Sequence, residues 1–288
     1  MRFSKVHIEI SNICNLQCSF CPEVIRTKGL IELELFEKII KQVAPITEQV
    51  AFHLMGDPLV HPKLEELVRI CHEYKTPINL VTNGVLLREK QAELLLHPAF
   101  RQVNFSLHSY PDNFPQKDPT EYLERIFQFT EKAFELRPDL YINYRLWNLQ
   151  DTRGTGAENI NMLDRIEKRF QVEAGRNVDV RMTKSRKLKN RLYMHYDTEF
   201  IWPALDLPVL GEKGTCYGLN SHFGILVDGT VVPCCLDKEG NIPLGSIMNE
   251  PILDILASSR AQAVLKGFQQ GKLVEVLCRK CNYIERFK

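Results

Sequence analysis

The chain has 288 residues, 44% of them apolar and 25% charged, with a formal net charge of +1. That apolar content supports a large buried core, while the near-neutral balance gives no electrostatic case for nucleic acid or an anionic membrane as partner. No apolar run approaches the roughly 20 residues of a spanning helix. Met1-Arg2-Phe3-Ser4-Lys5 leads straight into a strand without the apolar stretch of a signal peptide, so a cytoplasmic protein is expected. In chain order, apolar runs predict strands over 5–10, 49–55, 77–82, 101–107, 139–147 and 177–182. Helical spacing fills the gaps over 33–43, 63–75, 88–97, 119–137 and 157–170, with His61-Pro62 and Asp118-Pro119 as start signals. Such alternation implies a parallel sheet with right-handed crossovers and ligands gathered at the C-terminal strand ends. The regularity stops near residue 183. A hairpin then follows, Phe223–Val227 and Thr230–Val232 about a two-residue Asp228-Gly229 turn, and a helix over about 251–266.

Nine cysteines in an unexported chain point to metal ligation in preference to disulfides. Cys71 lies on the apolar face Leu64-Leu67-Val68-Cys71 and reads as a buried structural thiol. The other eight fall into two groups. Cys14, Cys18 and Cys21 form C-x3-C-x2-C in the loop leaving the first strand. Three thiolates fit three corners of a 4Fe-4S cube, leaving one iron open, and an open metal position marks chemistry. In the second group, Cys216, Cys234, Cys278 and Cys281 supply four thiolates, enough to close a zinc or a complete 4Fe-4S site. Cys235 duplicates Cys234.

The triad, its preceding strand and the aromatic Phe20 before its last cysteine resemble the radical S-adenosylmethionine (radical SAM) superfamily. The resemblance implies that the open iron is chelated by SAM, that Phe20 packs near the adenine, and that the reduced cluster cleaves SAM to a 5′-deoxyadenosyl radical. His53-Leu54-Met55-Gly56-Asp57-Pro58 stands where that family has Gly-Gly-Glu-Pro, with Met55 and Asp57 replacing a Gly and the Glu. It thereby implies that Gly56 and Asp57 engage the SAM amino group. Read alone, Gly-Asp-Pro is a turn leaving a strand. Asn83 in Thr82-Asn83-Gly84 and Ser106 in Phe105-Ser106-Leu107-His108 match places where the family meets the SAM ribose and carboxylate. Arg145 could pair with the SAM carboxylate, the alternative being an arginine satisfied by a neighbouring acid. His53 and His108 read as satisfied core histidines. C-x12-G-x4-C, with Gly229 in the turn, resembles the SPASM/twitch extensions of this family. Four matching ligands imply the shorter twitch form and a second, auxiliary 4Fe-4S cluster, with the glycine spacing favouring Cys234 over Cys235.

The resulting expectation is an α/β fold. A partial (β/α)6 TIM-like barrel over 1–183 is followed by a linker over 184–215 and a small C-terminal α+β, twitch-like cluster domain over 216–288. The function expected is hydrogen abstraction from a small-molecule or peptide substrate, in a net oxidation or bond-forming modification. A flavodoxin- or ferredoxin-type protein is implied as electron donor. The alternatives are a peptide or sulfatase maturase, or a non-catalytic four-cysteine zinc protein. The basic run Arg181, Lys184, Arg186, Lys187, Lys189 and Arg191 reads either as a solvated linker or as a holder of an anionic substrate.

Overall fold

A computed structural model of the chain describes residues 2–149, 157–176 and 178–287. The elements run β1 (Lys5–Ile8), α1 (Leu33–Val43), β2 (Val50–Ala51), α2 (Leu64–Glu73), β3 (Ile78–Thr82), α3 (Glu89–Leu95), β4 (Phe100–Ser106) and α4 (Ser109–Asn113). They continue through α5 (Thr120–Leu136), β5 (Tyr141–Leu149), α6 (Ala157–Phe170), β6 (Ser185–Lys189), β7 (Leu192–Thr198), β8 (His222–Ile225), β9 (Thr230–Val232) and β10 (Gly245–Ser246). Three helices close the chain, α7 (Ile252–Ala257), α8 (Ser259–Gln269) and α9 (Val276–Arg279). Strands and helices alternate as the sequence requires, and the fold is α/β with parallel strands.

The chain divides into two compact units. The first comprises Met1–Cys14, Pro22–Ile78 and Ile201–Lys288. Its sheet is centred on β1, which pairs parallel with β2 on one side and with β8 on the other. The antiparallel β8–β9–β10 meander extends it. Helix α1 shows the amphipathic stripe Phe36, Ile39, Ile40 and Val43, all fully buried. Phe36 meets Phe52 edge-to-face at 5.5 Å, and each such buried ring stabilises by about 1.5–3 kcal/mol.

The second unit comprises Asn15–Cys21 and Asn79–Phe200. Strands β4, β5 and β7 run parallel, and β6 pairs antiparallel with β7 at the edge. One face packs on α5 and α6, where Phe105 meets Phe129 at 5.7 Å and Phe127 meets Phe170 at 5.3 Å. The opposite face carries Asn104, Asn143 and Arg145. Residues alternate between faces with the strand period of two.

The structure departs from the sequence reading in five places, the first being the second strand, which spans only Val50–Ala51 where 49–55 was expected. Residue 177 lies outside the described residues, and 178–182 form a turn, in which the Met182 and Thr183 N–H groups donate to the Asp179 carbonyl and the Asp179 side chain accepts from Arg181 N–H. The place beside β5 is taken instead by β7, so 184–215 holds a hairpin where a linker was expected. The β8–β9 connection is a three-residue loop: Leu226 N–H donates to Thr230 and Gly229 N–H to Leu226, with Gly229 at φ +86°. The single C-terminal helix is two helices, separated at Ser258, whose hydroxyl caps α8 by accepting from Ala261 N–H.

Candidate iron–sulfur and SAM sites

In the first unit, residues 9–13 carry the chain from β1 to Cys14 and are pinned along their length. Asn12 accepts from Gly29 N–H at 2.7 Å and donates to Thr27 O at 3.0 Å. Ile31 N–H donates to Ile10 O at 2.9 Å. Glu9 has no exposed side-chain surface, yet Arg26 Nη2 reaches both its oxygens, at 2.8 and 2.9 Å, and Val227 N–H donates to it at 3.1 Å. Burial raises the Glu9 carboxyl, with the Arg26 hydrogen bond and charge opposing it.

Gly56 sits against this segment at φ +71°, and a Cβ there would lie 2.5 Å from Ser11 O and 2.7 Å from Ile13 O. Only glycine allows both the conformation and the approach. The next N–H, of Asp57, donates to Ile13 O at 3.0 Å. Asp57 is buried, and its Oδ1 accepts from Leu59 N–H at 2.9 Å, capping the short turn Pro58–Val60. The turn reading of Gly-Asp-Pro is therefore correct as geometry, and it also fixes the residue before Cys14.

In the second unit, Asn15–Cys21 is clamped by α4. Asn113 accepts from Gln17 N–H at 2.9 Å, and Asp112 accepts from Ser19 N–H at 2.8 Å and from its hydroxyl at 2.5 Å. Asn113 Nδ2 also donates to Cys18 Sγ at 3.1 Å. Cys21 N–H closes on Cys18 O at 3.1 Å, and Phe20 packs 4.9 Å from the His108 ring. Asn83, just past β3, donates to Asn15 Oδ1 at 2.9 Å and accepts from Val85 N–H at 2.9 Å. Ser106 ends β4 in register with Arg145 on β5. Cys14 and Cys21 are exposed and Cys18 half-buried. Asp112 and Asn113 were not legible beforehand: Ser109-Tyr110-Pro111-Asp112-Asn113 is too short for helical periodicity and reads as a turn.

His108 is a satisfied core histidine, as expected. Its Nδ1 donates to Arg145 O at 3.1 Å, and burial lowers its pKa to about 4. Arg145 does not follow its bland alternative. Among the described residues no acid pairs with it; Nη2 donates to Asn104 Oδ1 at 2.9 Å and the guanidinium lies 4.4 Å over Trp147. Of the basic run, Arg181 pairs with Asp179, Lys184 with Asp197 and Arg186 with Glu173, while Arg191 stacks on Tyr141 at 4.5 Å.

The C-terminal cysteines all lie in the first unit. Cys278, in α9, and Cys281 close a turn through Cys281 N–H and Cys278 O at 3.3 Å, the same arrangement as Cys18 and Cys21. Burial pushes every thiol of the group up, Cys281 and Cys235 to about 11, and negative charge on neighbours adds to it. Cys234 is raised by Cys235, Cys216 and Cys278; Cys278 by Cys216 and Cys281; Cys281 by Cys216 and Cys235. Cys235 also packs against an apolar cluster of Val24, Leu54, Met55, Leu226 and Val232. Among the described residues no three Cys, His, Asp or Glu side chains stand at metal-ligating separation. Five soft, mutually repelling donors nonetheless suit an iron–sulfur group, because metal ligation deprotonates thiols and draws them together. Cys71 is fully buried, its thiol raised well above the ordinary range by burial alone.

The description of the radical SAM superfamily matches residues 8–151, half of the chain, and that of SPASM, an iron–sulfur cluster-binding domain, matches residues 216–282. The chain belongs to the radical SAM superfamily. With the first domain come S-adenosylmethionine and a 4Fe-4S cluster, and with the second, auxiliary iron–sulfur. Among similar proteins is the GTP 3′,8-cyclase of Chlorobaculum tepidum, 33% identical over 108 residues, which are 35% of this chain and 32% of that protein. The chain thus spans about a third of that relative's length. A crystal structure of BtrN in complex with AdoMet and 2-DOIA superposes with TM-score 0.59 at 16% identity, covering 98% of this chain and 94% of that one. SuiB of Streptococcus suis, bound to the precursor peptide SuiA, gives TM-score 0.65 at 15% identity over 99% and 73%. At these identities the structures speak for the fold alone. No described helix of this radical SAM protein is long and apolar enough to cross a membrane.

Proposed function

We propose that this radical SAM enzyme holds its SAM-binding cluster on Cys14, Cys18 and Cys21 and a single auxiliary 4Fe-4S cluster on Cys216, Cys234, Cys278 and Cys281. When bound, the first cluster supplies the electron that cleaves SAM to a hydrogen-abstracting 5′-deoxyadenosyl radical. The chain's own residues bind and orient. Phe20, held by His108, presents an aromatic face for adenine. Gly56 keeps its backbone close to the residues before Cys14, and the Asp57 carboxylate can accept from the SAM ammonium. Asn83 and Ser106 offer polar groups at the ends of β3 and β4, and Arg145, in register with Ser106, can pair with the SAM carboxylate. The observation that carries this reading is the clamp on residues 15–21. Asp112 and Asn113 hold the backbone while leaving Cys21 exposed, and the Asn113 amide donates to Cys18 as donors do at cluster sulfur.

Four C-terminal thiols favour one closed auxiliary site, with the spacing from Gly229 favouring Cys234, while Cys235 abuts an apolar cluster. Such a site suits a net oxidation, because a substrate radical must lose an electron. We therefore read the reaction as an oxidative or bond-forming modification of a small metabolite or a peptide side chain. A flavodoxin- or ferredoxin-type protein in the cytoplasm would serve as donor. Family membership disfavours a non-catalytic zinc protein. The test is 5′-deoxyadenosine formation by anaerobically reconstituted protein with dithionite. It should be present in the parent and absent after Cys14→Ala, Cys18→Ala or Cys21→Ala. Parent-like cleavage in all three variants would refute the assignment.

A further inference from the structure

Residues 23–26, which carry the chain away from Cys21, are held by the turn that follows Cys234 and Cys235. Glu239 spans two consecutive backbone groups, Oε1 accepting from Ile25 N–H and Oε2 from Arg26 N–H, each at 3.1 Å. Lys238 works in the other direction: its Nζ donates to Glu23 O at 2.8 Å, and its carbonyl accepts from Arg26 Nε at 2.6 Å. Lys238 is buried and also pairs with Glu239. Burial acts to raise the Glu239 carboxyl, but Lys238 and the two N–H donors outweigh it and hold the group below its ordinary value. Each of these bonds has a charged partner, and such bonds are roughly twice as strong as neutral ones.

The turn keeps its shape with its own residues. The buried Asp237 carboxylate accepts from Asn241 N–H and Ile242 N–H, both at 2.8 Å, and so closes the turn on itself. The held segment is also tied to the entry of the cysteine loop. Arg26 reaches both oxygens of Glu9, on the chain leading to Cys14. Val24 shares an apolar cluster with Leu54 and Met55, the two residues before Gly56, and with Leu226 and Val232 of the hairpin. All these residues belong to the first unit. A ligand loop anchored at its entry and at its exit loses less freedom when it takes up its group, because its supporting residues are already locked.

We propose that Lys238 and Glu239 are positioning residues of the SAM-cleaving centre. By fixing the backbone that follows Cys21, they set the last cysteine of the triad and Phe20 beside it. This rests on the reading of Cys14, Cys18 and Cys21 as ligands of the SAM-binding cluster. It gives the C-terminal region a part in SAM binding that is separate from holding an auxiliary cluster.

The test uses the full-length protein, reconstituted anaerobically, with SAM itself as the probe. Glu239→Gln is isosteric: it keeps one acceptor oxygen and turns its amide towards the second N–H. SAM affinity, read by equilibrium dialysis, should weaken about fivefold in this variant, the loss of one charge-assisted bond. The change that SAM induces in the electron paramagnetic resonance spectrum of the reduced cluster should shrink with it. Lys238→Met keeps the aliphatic stem, removes the donor to Glu23 O, and should weaken SAM binding about threefold. Urea midpoints measured on the same preparations separate positioning from stability. A purely structural role would lower the midpoints and leave SAM affinity and the spectral response at the parent's values. That result, or SAM affinity within about 1.5-fold of the parent in both variants, would overturn the proposal. A parent protein whose reduced cluster shows no response to SAM would strike the proposed function instead.

Discussion

Replacing Gly56 by alanine tests how the Gly-Asp-Pro turn fixes the cysteine loop. At φ +71° an L side chain sits in the left-handed region, which costs about 1–2 kcal/mol. The new Cβ would also lie 2.5 Å from Ser11 O and 2.7 Å from Ile13 O. Both are backbone atoms, so no side chain can rotate away, and overpacking of this kind adds about 1–3 kcal/mol. Together these give about 2–5 kcal/mol, a large share of the 5–15 kcal/mol typical of a folded chain. With an m-value of about 3 kcal/mol/M, the urea midpoint should fall by about 1 M. The clash is one residue from Cys14, and it breaks the contact that Asp57 N–H makes with Ile13 O. SAM affinity should therefore fall with stability. An alanine variant with the parent's midpoint and SAM affinity would refute the close approach.

Two further outcomes follow from buried ionisable groups. Arg26→Ala strands the fully buried Glu9 carboxylate and should cost about 3–5 kcal/mol in urea unfolding, and a loss under about 1 kcal/mol would count against the pair. Because burial already raises the Glu9 pKa, that deficit should shrink as pH falls from 7 towards 5, where protonation removes the stranded charge. His108 is held neutral in the fold, with its pKa lowered from 6.5 to about 4, so the unfolded chain binds its proton first and stability is lost as pH falls between those values. Between pH 7 and pH 5.5 the parent should lose about 1 kcal/mol more than His108→Gln, and parallel pH profiles would contradict the buried neutral imidazole.

The parts of this fold that were legible in the sequence are those where one apolar face meets one core. Helices α1 and α6 fall on their expected bounds because their stripes recur with helical spacing over three or more turns. The hairpin and both cysteine groups were visible from turn chemistry and thiol spacing. What escaped notice has a physical cause in each case. β6 is an edge strand reading Ser185-Arg186-Lys187-Leu188-Lys189, charged as edges are, and it masqueraded as a solvated linker. β7 alternates Leu192, Met194 and Tyr196 inward with Tyr193 and His195 outward, a pattern hidden by that charged neighbour. The stretch 177–182 has strand-like alternation, but Asp179 spends its side chain and carbonyl on a turn. α7 and α8 share one apolar register, so only Ser258 marks the break. At the cluster loop the thiols were evident and their support was not, since Asp112 and Asn113 reach residues 17–19 from more than ninety positions away.

The most direct measurement of the whole account is iron and 5′-deoxyadenosine on the same anaerobic preparations, comparing the parent with a variant in which Cys216, Cys234, Cys278 and Cys281 are all alanine. The parent should carry about eight iron per chain and the variant about four. A variant confirmed as folded should still cleave SAM while product formation falls steeply. A colourless, zinc-loaded parent would contradict the account, and so would a folded variant that loses SAM cleavage altogether.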